Sequence, residues 1–395
     1  MGTFALHVIV VFLAAVTVSA ATPAASTIFP VPSIITPHYD TDPLYKVLPP
    51  AHLDFKVAYV NYWGDLTDWS RTPQFLTRNT DLATFCSLQN RGFWFFGYTS
   101  SETSDEENYY KLTSFSSTIS LAKDFAHPAW IVDNWAEWPP IPCTENENEV
   151  IANYKSDIAI NASTNCAVLG PSKAIQFWNM RLGSCGTFAG TSLVVYEFSP
   201  VYNTLKITRP VTITLTPDEY QYGSFATVVV RGVVYLYALD SSQDGYHRDV
   251  HVASAPAATV EDKSTWRYWD QGAGAWSSTE PFPTARRQSA AIISLPAQTS
   301  FRVSASIFYS AYHNSYLLFF LNGSEDRLRV KYSSTPLGPW STNDFIVFSF
   351  PASVEHALVT PVPFQNGSDI AGQKVLVSSY GYDEPKTKVW KLKFT

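Results

Sequence analysis

A strand triplet recurs five times along this chain, and that recurrence constrains the fold more than any other feature. Two members of each triplet are an apolar, aromatic-rich run and, after a gap, an alternating strand. The pairs are Phe93–Thr99 with Ser117–Asp124, Ser192–Phe198 with Thr204–Pro210, Val233–Asp240 with Asp249–Pro256, Tyr316–Leu321 with Arg327–Ser333, and Lys374–Ser379 with Thr387–Phe394. Another strand-like run precedes each pair: Asp81–Leu88, Lys173–Leu182, Ser224–Arg231, Val303–His313 and His356–Phe364. Short runs rich in β-branched and aromatic residues, bounded by turn residues, read as strands. Three strands repeated five times predict an all-β fold, a five-bladed β-propeller, whose chemistry belongs in a central funnel. A long insertion, Phe125–Pro171, is expected between blades one and two. Within it, Glu145, Glu147 and Glu149 form an acidic cluster and Asn148–Ser156 is expected to make a short turn of helix. Val57–Tyr62 is expected to complete the last blade by pairing with the C-terminal strand, Lys388–Phe394.

Composition fits that pattern. Of 395 residues, 15% are aromatic and 15% charged, and 26 Pro outnumber 18 Gly, which suits many short strands joined by structured loops. The net charge of −7 and the lack of a Lys/Arg-rich run argue against a nucleic-acid partner. Val8–Val18 is an apolar core of signal-peptide length, followed by the small-residue cleavage site Val18-Ser19-Ala20. It falls short of the ~20 residues that a spanning helix needs. Residues 1–20 are therefore expected to be a signal peptide, 21–50 a Pro-rich extended lead segment, and 51–395 a single propeller domain. The mature chain is expected to be secreted, extracellular and monomeric, with no membrane attachment after cleavage.

The cysteines are Cys86, Cys143, Cys166 and Cys185, an even count that suggests two disulfides in an oxidising compartment. The expected pairs are Cys143–Cys166, closing a loop of the insertion, and Cys86–Cys185, joining the first two blades. No Cys-x-x-Cys spacing supports a metal site, and no cofactor is implied. Sequons at Asn161, Asn322 and Asn366 fit a glycosylated secreted protein.

The later blades carry more specific phrases. Tyr222-Gly223-Ser224-Phe225 leads into a long β-ribbon, followed by Trp266-Arg267-Tyr268-Trp269, Tyr312-His313-Asn314-Ser315 and the ribbon ending in Gly338-Pro339-Trp340-Ser341. Over about residues 55–395 the chain resembles the secreted five-bladed propellers grouped as domain-of-unknown-function family 4185 and their fungal relatives. These are distantly similar to glycoside hydrolases of the arabinanase and fructosidase type. The resemblance implies a funnel on the axis, lined by the starts of the innermost strands. It also implies an Arg-Asp and a Phe-Gly-Asp-Thr phrase in the first blade. This chain departs at both places, with Arg78-Asn79-Thr80-Asp81 and Phe96-Gly97-Tyr98-Thr99.

Glycoside hydrolysis generally uses two carboxyls, one protonated and one ionised, flanking the scissile bond. In a propeller they come from the starts of different inner strands. Asp81, Glu219 and Glu149 are the catalytic candidates, with Glu355 and Asp133 behind them. Each is weighed against a plainer role as a loop carboxylate capping a strand end. Sugar rings stack on aromatic faces, so Tyr98, Trp178, Tyr222 and His356 are the substrate-binding candidates, against the plainer role of packing between blades. His247 and His251 would stand ~13 Å apart on a strand, too far to share one ion. Esterase, zincin and nucleotide-binding motifs are absent. The architecture and the resemblance imply a carbohydrate-active propeller acting on an extracellular polysaccharide, an arabinanase-like hydrolase or a degenerate relative. The rival readings are a non-catalytic propeller that binds a glycan or protein, and a rigid platform.

Overall fold

The computed structural model describes residues 53, 55–65, 77–80, 83–89, 91–101, 112–117, 158–162, 164–182, 188–202, 204–210, 214–241, 247–280, 291–296, 305–322, 326–351, 354, 356–361, 371–380 and 387–395. They form an all-β propeller whose strands fall into five separate sheets.

After β1 (Val57–Asp65), sheet one contains β2 (Thr77–Thr80), β3 (Ala83–Leu88), β4 (Arg91–Ser101) and β5 (Leu112–Ser117). The short β2 and β3 pair with successive parts of β4, so they make one interrupted strand. Sheet two contains β6 (Ile158–Ala162), β7 (Ala167–Gly170), β8 (Lys173–Leu182), β9 (Phe188–Ser199) and β10 (Thr204–Thr208). Sheet three contains β11 (Ala226–Val230), β12 (Val233–Ser241), β13 (His247–Pro256), β14 (Arg267–Asp270), β15 (Ala275–Ser277) and β16 (Ile293–Pro296). Sheet four is β17 (Ser306–Ser310), β18 (Ser315–Asn322), β19 (Arg327–Ser333) and β20 (Phe345–Ser349). Sheet five contains β21 (His356–Pro361), β22 (Lys374–Tyr380), β23 (Lys388–Phe394) and β1, which pairs antiparallel with β23. The expected pairing of Val57–Tyr62 with the C-terminal strand is therefore present. Thr395 N adds a hydrogen bond to Lys56 O at 2.9 Å.

Local chemistry explains the regular hairpins. β11 and β12 are joined by Arg231-Gly232, both at positive φ (49° and 80°), the mirror-image turn whose twist suits a two-residue hairpin. In β12, Val233, Val234, Tyr235, Leu236, Tyr237 and Ala238 are all buried, as in a strand covered on both faces. The cores lie between consecutive sheets. Phe95 with Trp178 and Tyr196 fills the space between sheets one and two, and Phe177 with Tyr222 and Trp266 that between two and three. Tyr237 with Phe320 and Trp340 fills the next, and Phe319 with Val377 and Phe394 the one after it. Burial on this scale, at roughly 25 cal/mol per Å² of apolar surface, is what holds sheet to sheet.

Two expectations need correction. The third strand of sheet one is seen over Leu112–Ser117, ahead of the expected Ser117–Asp124, of which residues 118–124 lie outside the described residues. In sheet two, Lys173–Leu182 is the second strand, because β6 and β7 pair along it and precede it. Those strands, of five and four residues, come from the end of the expected insertion Phe125–Pro171 and are too short to show a period of two. The rest of that insertion, with its acidic cluster and expected helical turn, lies outside the described residues.

Candidate functional site

The first strands of the sheets, β3, β7, β11, β17 and β21, neighbour one another in a closed cycle. Asn165, just before β7, sits at their centre. Its Oδ1 accepts from Phe85 N at 2.9 Å, and its Nδ2 donates to Val359 O at 3.0 Å and Thr360 Oγ1 at 3.2 Å. Its carbonyl accepts from Thr227 Oγ1 at 3.4 Å. One residue thus touches β3, β11 and β21 while its own chain runs into β7. β21 is not a neighbour of β7 in the cycle, so the amide spans the axis. The remaining links are Cys166 N to Phe85 O (3.1 Å), Ala305 N to Phe225 O (2.7 Å) and Val359 N to Ser306 Oγ (2.8 Å). Thr227 and Ser306 lie at or near the starts of their strands, Phe85 lies midway along β3, and Val359 and Thr360 lie in the second half of β21.

A buried network backs this axis. Gln176 Nε2 donates to Thr84 Oγ1 at 2.7 Å and also to Thr164 O. Gln176 Oε1 accepts from Trp178 Nε1 at 3.0 Å and from Tyr196 OH at 2.6 Å. Burial, only partly offset by the bond to Trp178, pushes the Tyr196 phenol well above its ordinary range. Such networks are stable only when every member is satisfied. Cys86 and Cys166 form a disulfide across the same place, with Cα atoms 5.1 Å apart. This corrects both expected pairings. Cys166 precedes β7 and is hydrogen-bonded beside Cys86 on β3, which brings residues 80 apart in sequence into bonding range. Cys143 and Cys185 lie outside the described residues.

A second polar group lies between sheets two and three. Glu219 Oε2 accepts from Thr216 N at 2.7 Å and Thr216 Oγ1 at 3.1 Å, and its Oε1 pairs with Lys263 Nζ. Partial burial works to raise its pKa, but these bonds and the Lys263 charge outweigh it and hold the carboxyl below its usual range. Lys263 belongs to a single 3₁₀ turn, Lys263–Thr265, capped by Asp262 Oδ1 accepting from Ser264 N. Glu280 shows the opposite shift. Burial first, and then the Glu219 charge, push it up to about 7 against the opposing pull of Lys263 and a bond from the Tyr220 backbone.

The sequence-derived candidates fall out as follows. Glu219 is committed through both oxygens to a turn and an ion pair, as a capping carboxylate would be. Trp178 (0% exposed) is enclosed between sheets one and two, edge-on to Phe95 at 6.3 Å. Tyr222 (1% exposed) packs on Tyr268 at 5.3 Å between sheets two and three. Neither presents a face on which a sugar could stack, so the plainer packing role replaces the binding one. Asp81, Glu149, Glu355 and Asp133 lie outside the described residues, as do the side chains of Tyr98, on β4, and His356, which opens β21. Of the sequons, Asn322 ends β18 with its side chain buried, a poor place for a glycan. Asn161 lies on β6 opposite Asn179, and Asn366 is outside the described residues. Asn165, Gln176 and Glu280 were not singled out by sequence reasoning. Only the adjacency of Asn165 to a cysteine offered a signal. Among the described residues no cluster of His, Cys, Asp and Glu could hold a metal ion.

No family model matches the chain, and no curated protein sequence does. Solved structures similar to it include the native arabinanase of Bacillus subtilis, at 10% identity over 84% of this chain and 96% of that one, with a TM-score of 0.41. A mutant of Trypanosoma rangeli sialidase displaying trans-sialidase activity is similar at 10% identity over 86% and 60%, with a TM-score of 0.42. An exo-beta-1,3-galactanase from Clostridium thermocellum is similar at 11% identity over 78% and 57%, with a TM-score of 0.42. The site described above rests on this chain's own geometry.

Proposed function

We propose that this chain is a secreted, carbohydrate-active propeller of five blades acting on an extracellular polysaccharide. In this reading residues 1–20 are a signal peptide, 21–50 a lead segment and 51–395 one propeller domain, akin to the family 4185 propellers. The observation that carries it is the closed cycle of β3, β7, β11, β17 and β21, with Asn165 bonded to β3, β11 and β21. Asn165 ties β3 to β21. Asp81 lies two residues before β3 and Glu355 immediately before β21, so the chain brings one acid to each. Asp81 is the proposed ionised or acid group, with Glu355 or Glu149 as its partner, and Tyr98 and His356 as ligand contacts. No cofactor, nucleic acid or second subunit enters this reading.

The alternative, a propeller that holds a glycan or protein without cutting it, is favoured by one specific feature. Glu219, a catalytic candidate, has both oxygens engaged and no freedom to shuttle a proton. Reducing-end release from neutral furanoside polymers, measured beside calorimetric binding, separates the two. Turnover that Asp81→Asn lowers at least ~10³-fold, with binding kept, supports the hydrolase. Binding without turnover supports the second reading, and neither binding nor turnover ends both.

A further inference from the structure

The ring closes through β1, and β1 is held in an unusual way. Residues 58–62 of this strand are all exposed, and Tyr59, Val60 and Tyr62 are 36%, 39% and 50% accessible. Its pairing with β23 is interrupted between Val57 and Tyr59 and again between Tyr62 and Gly64. Residues 58–62 therefore have ladder bonds but little apolar burial of their own. Anchorage comes from the residues just before and at its start, where Leu53 and Val57 flank a buried Phe55. Phe55 sits in a box of rings from sheets four and five. Its centroid is 4.9 Å from His313, 5.3 Å from Phe345, 5.8 Å from Tyr332 and 6.3 Å from Phe394.

His313 is the single basic member of that box, stacked on Phe55 with 27° between the planes. It is 7% exposed. The hydroxyl of Ser310 accepts from His313 N at 3.2 Å and lies 2.9 Å from Nδ1, leaving its own hydrogen for that ring nitrogen. Nε2 is buried with no hydrogen-bond partner. The site thus satisfies a neutral imidazole and offers an imidazolium no acceptor for its second N–H. Among the described residues, no charged side chain is hydrogen-bonded to the imidazole. The titratable ring beside it is Tyr312, at 5.0 Å, while Tyr332 on β19 packs against Phe55. On the elements packed against it, Lys56 is exposed, Lys331 Nζ is held by Ser341 O and Thr342 O, Lys393 on β23 is half-buried, and Asp344 before β20 is paired with Arg329.

We infer that Phe55 and His313 form an acid-released latch on the ring closure: protonating His313 expels Phe55, and β1 separates from β23 while the other sheets stay formed. Burial lowers the imidazole to about 4 from its ordinary 6.5. The sign follows from linkage. A base with a depressed pKa in the closed state binds fewer protons there than when open. Closure is therefore at full strength above 6.5 and weakens as pH falls through 6.5 towards 4. With these values the open population rises roughly 20-fold from pH 7 to 5 and about 100-fold by pH 4.

The test is pulsed hydrogen exchange of the full chain, equilibrated between pH 7 and 4 and labelled in short pulses at one common pH. The peptide spanning residues 53–65 is expected to gain label with those fold-changes, while β12 and β18 keep their protection. His313→Phe, which keeps a ring but cannot titrate, is expected to make β1 insensitive to pH. Should that variant misfold, Phe55→Ala is expected to show β1 already open at pH 7. No gain in the wild-type peptide, an equal gain in every sheet, or an unchanged pH response in His313→Phe would each overturn the latch.

Discussion

Between sheets two and three, Lys263 reaches Glu219 and, further along the same boundary, Lys173 pairs with Glu261 at 2.5 Å. Between sheets four and five, the titrating ring in the core is a lone histidine stacked on Phe55. Both boundaries are built on buried aromatic and aliphatic side chains, yet they treat ionisation differently. Where a counter-charge is present, a partly buried carboxylate is held ionised, as Glu219 is. Where it is missing, burial alone decides and the neutral form wins, as in His313. Glu280 lies between these cases, because Lys263 only partly offsets its burial and the repulsion from Glu219. The lesson is that burial pushes each group towards its neutral form, and a bonded counter-charge decides whether that push prevails.

Substitutions can test how alike these boundaries are. The largest effects should come from their shared apolar part. Phe319→Ala and Trp266→Ala are each expected to cost about 3–5 kcal/mol in urea unfolding at pH 7. Trp266→Ala also strands the Val260 carbonyl that now accepts from Trp266 Nε1 at 2.9 Å. A neutral result at either position would break the claim that both are cores of the same kind. Next in size is Glu280→Gln. A carboxyl raised to about 7 in the fold contributes fully below 4.5, and its contribution is lost as pH rises through 7. Discounted for partial exposure, the substitution should stabilise by roughly 1 kcal/mol at pH 8 and by little at pH 5. Equal effects at both pH values would show that Glu280 is ionised throughout. The smallest expected effect is that of Lys263→Met, at most about 1 kcal/mol for a partly exposed pair. Glu219, now depressed, stabilises above its ordinary 4.5 and less as pH falls. Without Lys263 that loss should begin at higher pH, visible as a shifted acid limb of the unfolding midpoint.

The architecture was largely legible in the sequence because hairpin strands carry their signal locally. Val233–Leu239 and Tyr316–Leu321 are apolar throughout because both their faces are covered, and the alternation of Lys388–Phe394 marks a strand with one face less buried. The strands that were misplaced are those without such a signal. β6 and β7 are too short to display a period, and β5 contains Ser114, Ser116 and Ser117. The candidate site was far less legible. Trp178 and Tyr222 had the right chemistry for stacking on a sugar, but residue type does not say which face of a strand meets the next sheet. Cys166 pairs with Cys86 because β7 lies beside β3, a neighbour relation that no spacing along the chain encodes.

By itself, then, the sequence determined the five strand groups and the pairing of the first strand with the last, since periodicity and turn chemistry are properties of contiguous residues. Tertiary structure alone decided that Asn165 spans the axis, that Glu219 is spoken for by Lys263, and that a turn histidine comes to face a phenylalanine from the start of the domain. Each of these joins residues far apart in the chain, and the energies involved exist only once the sheets have packed and water has left between them.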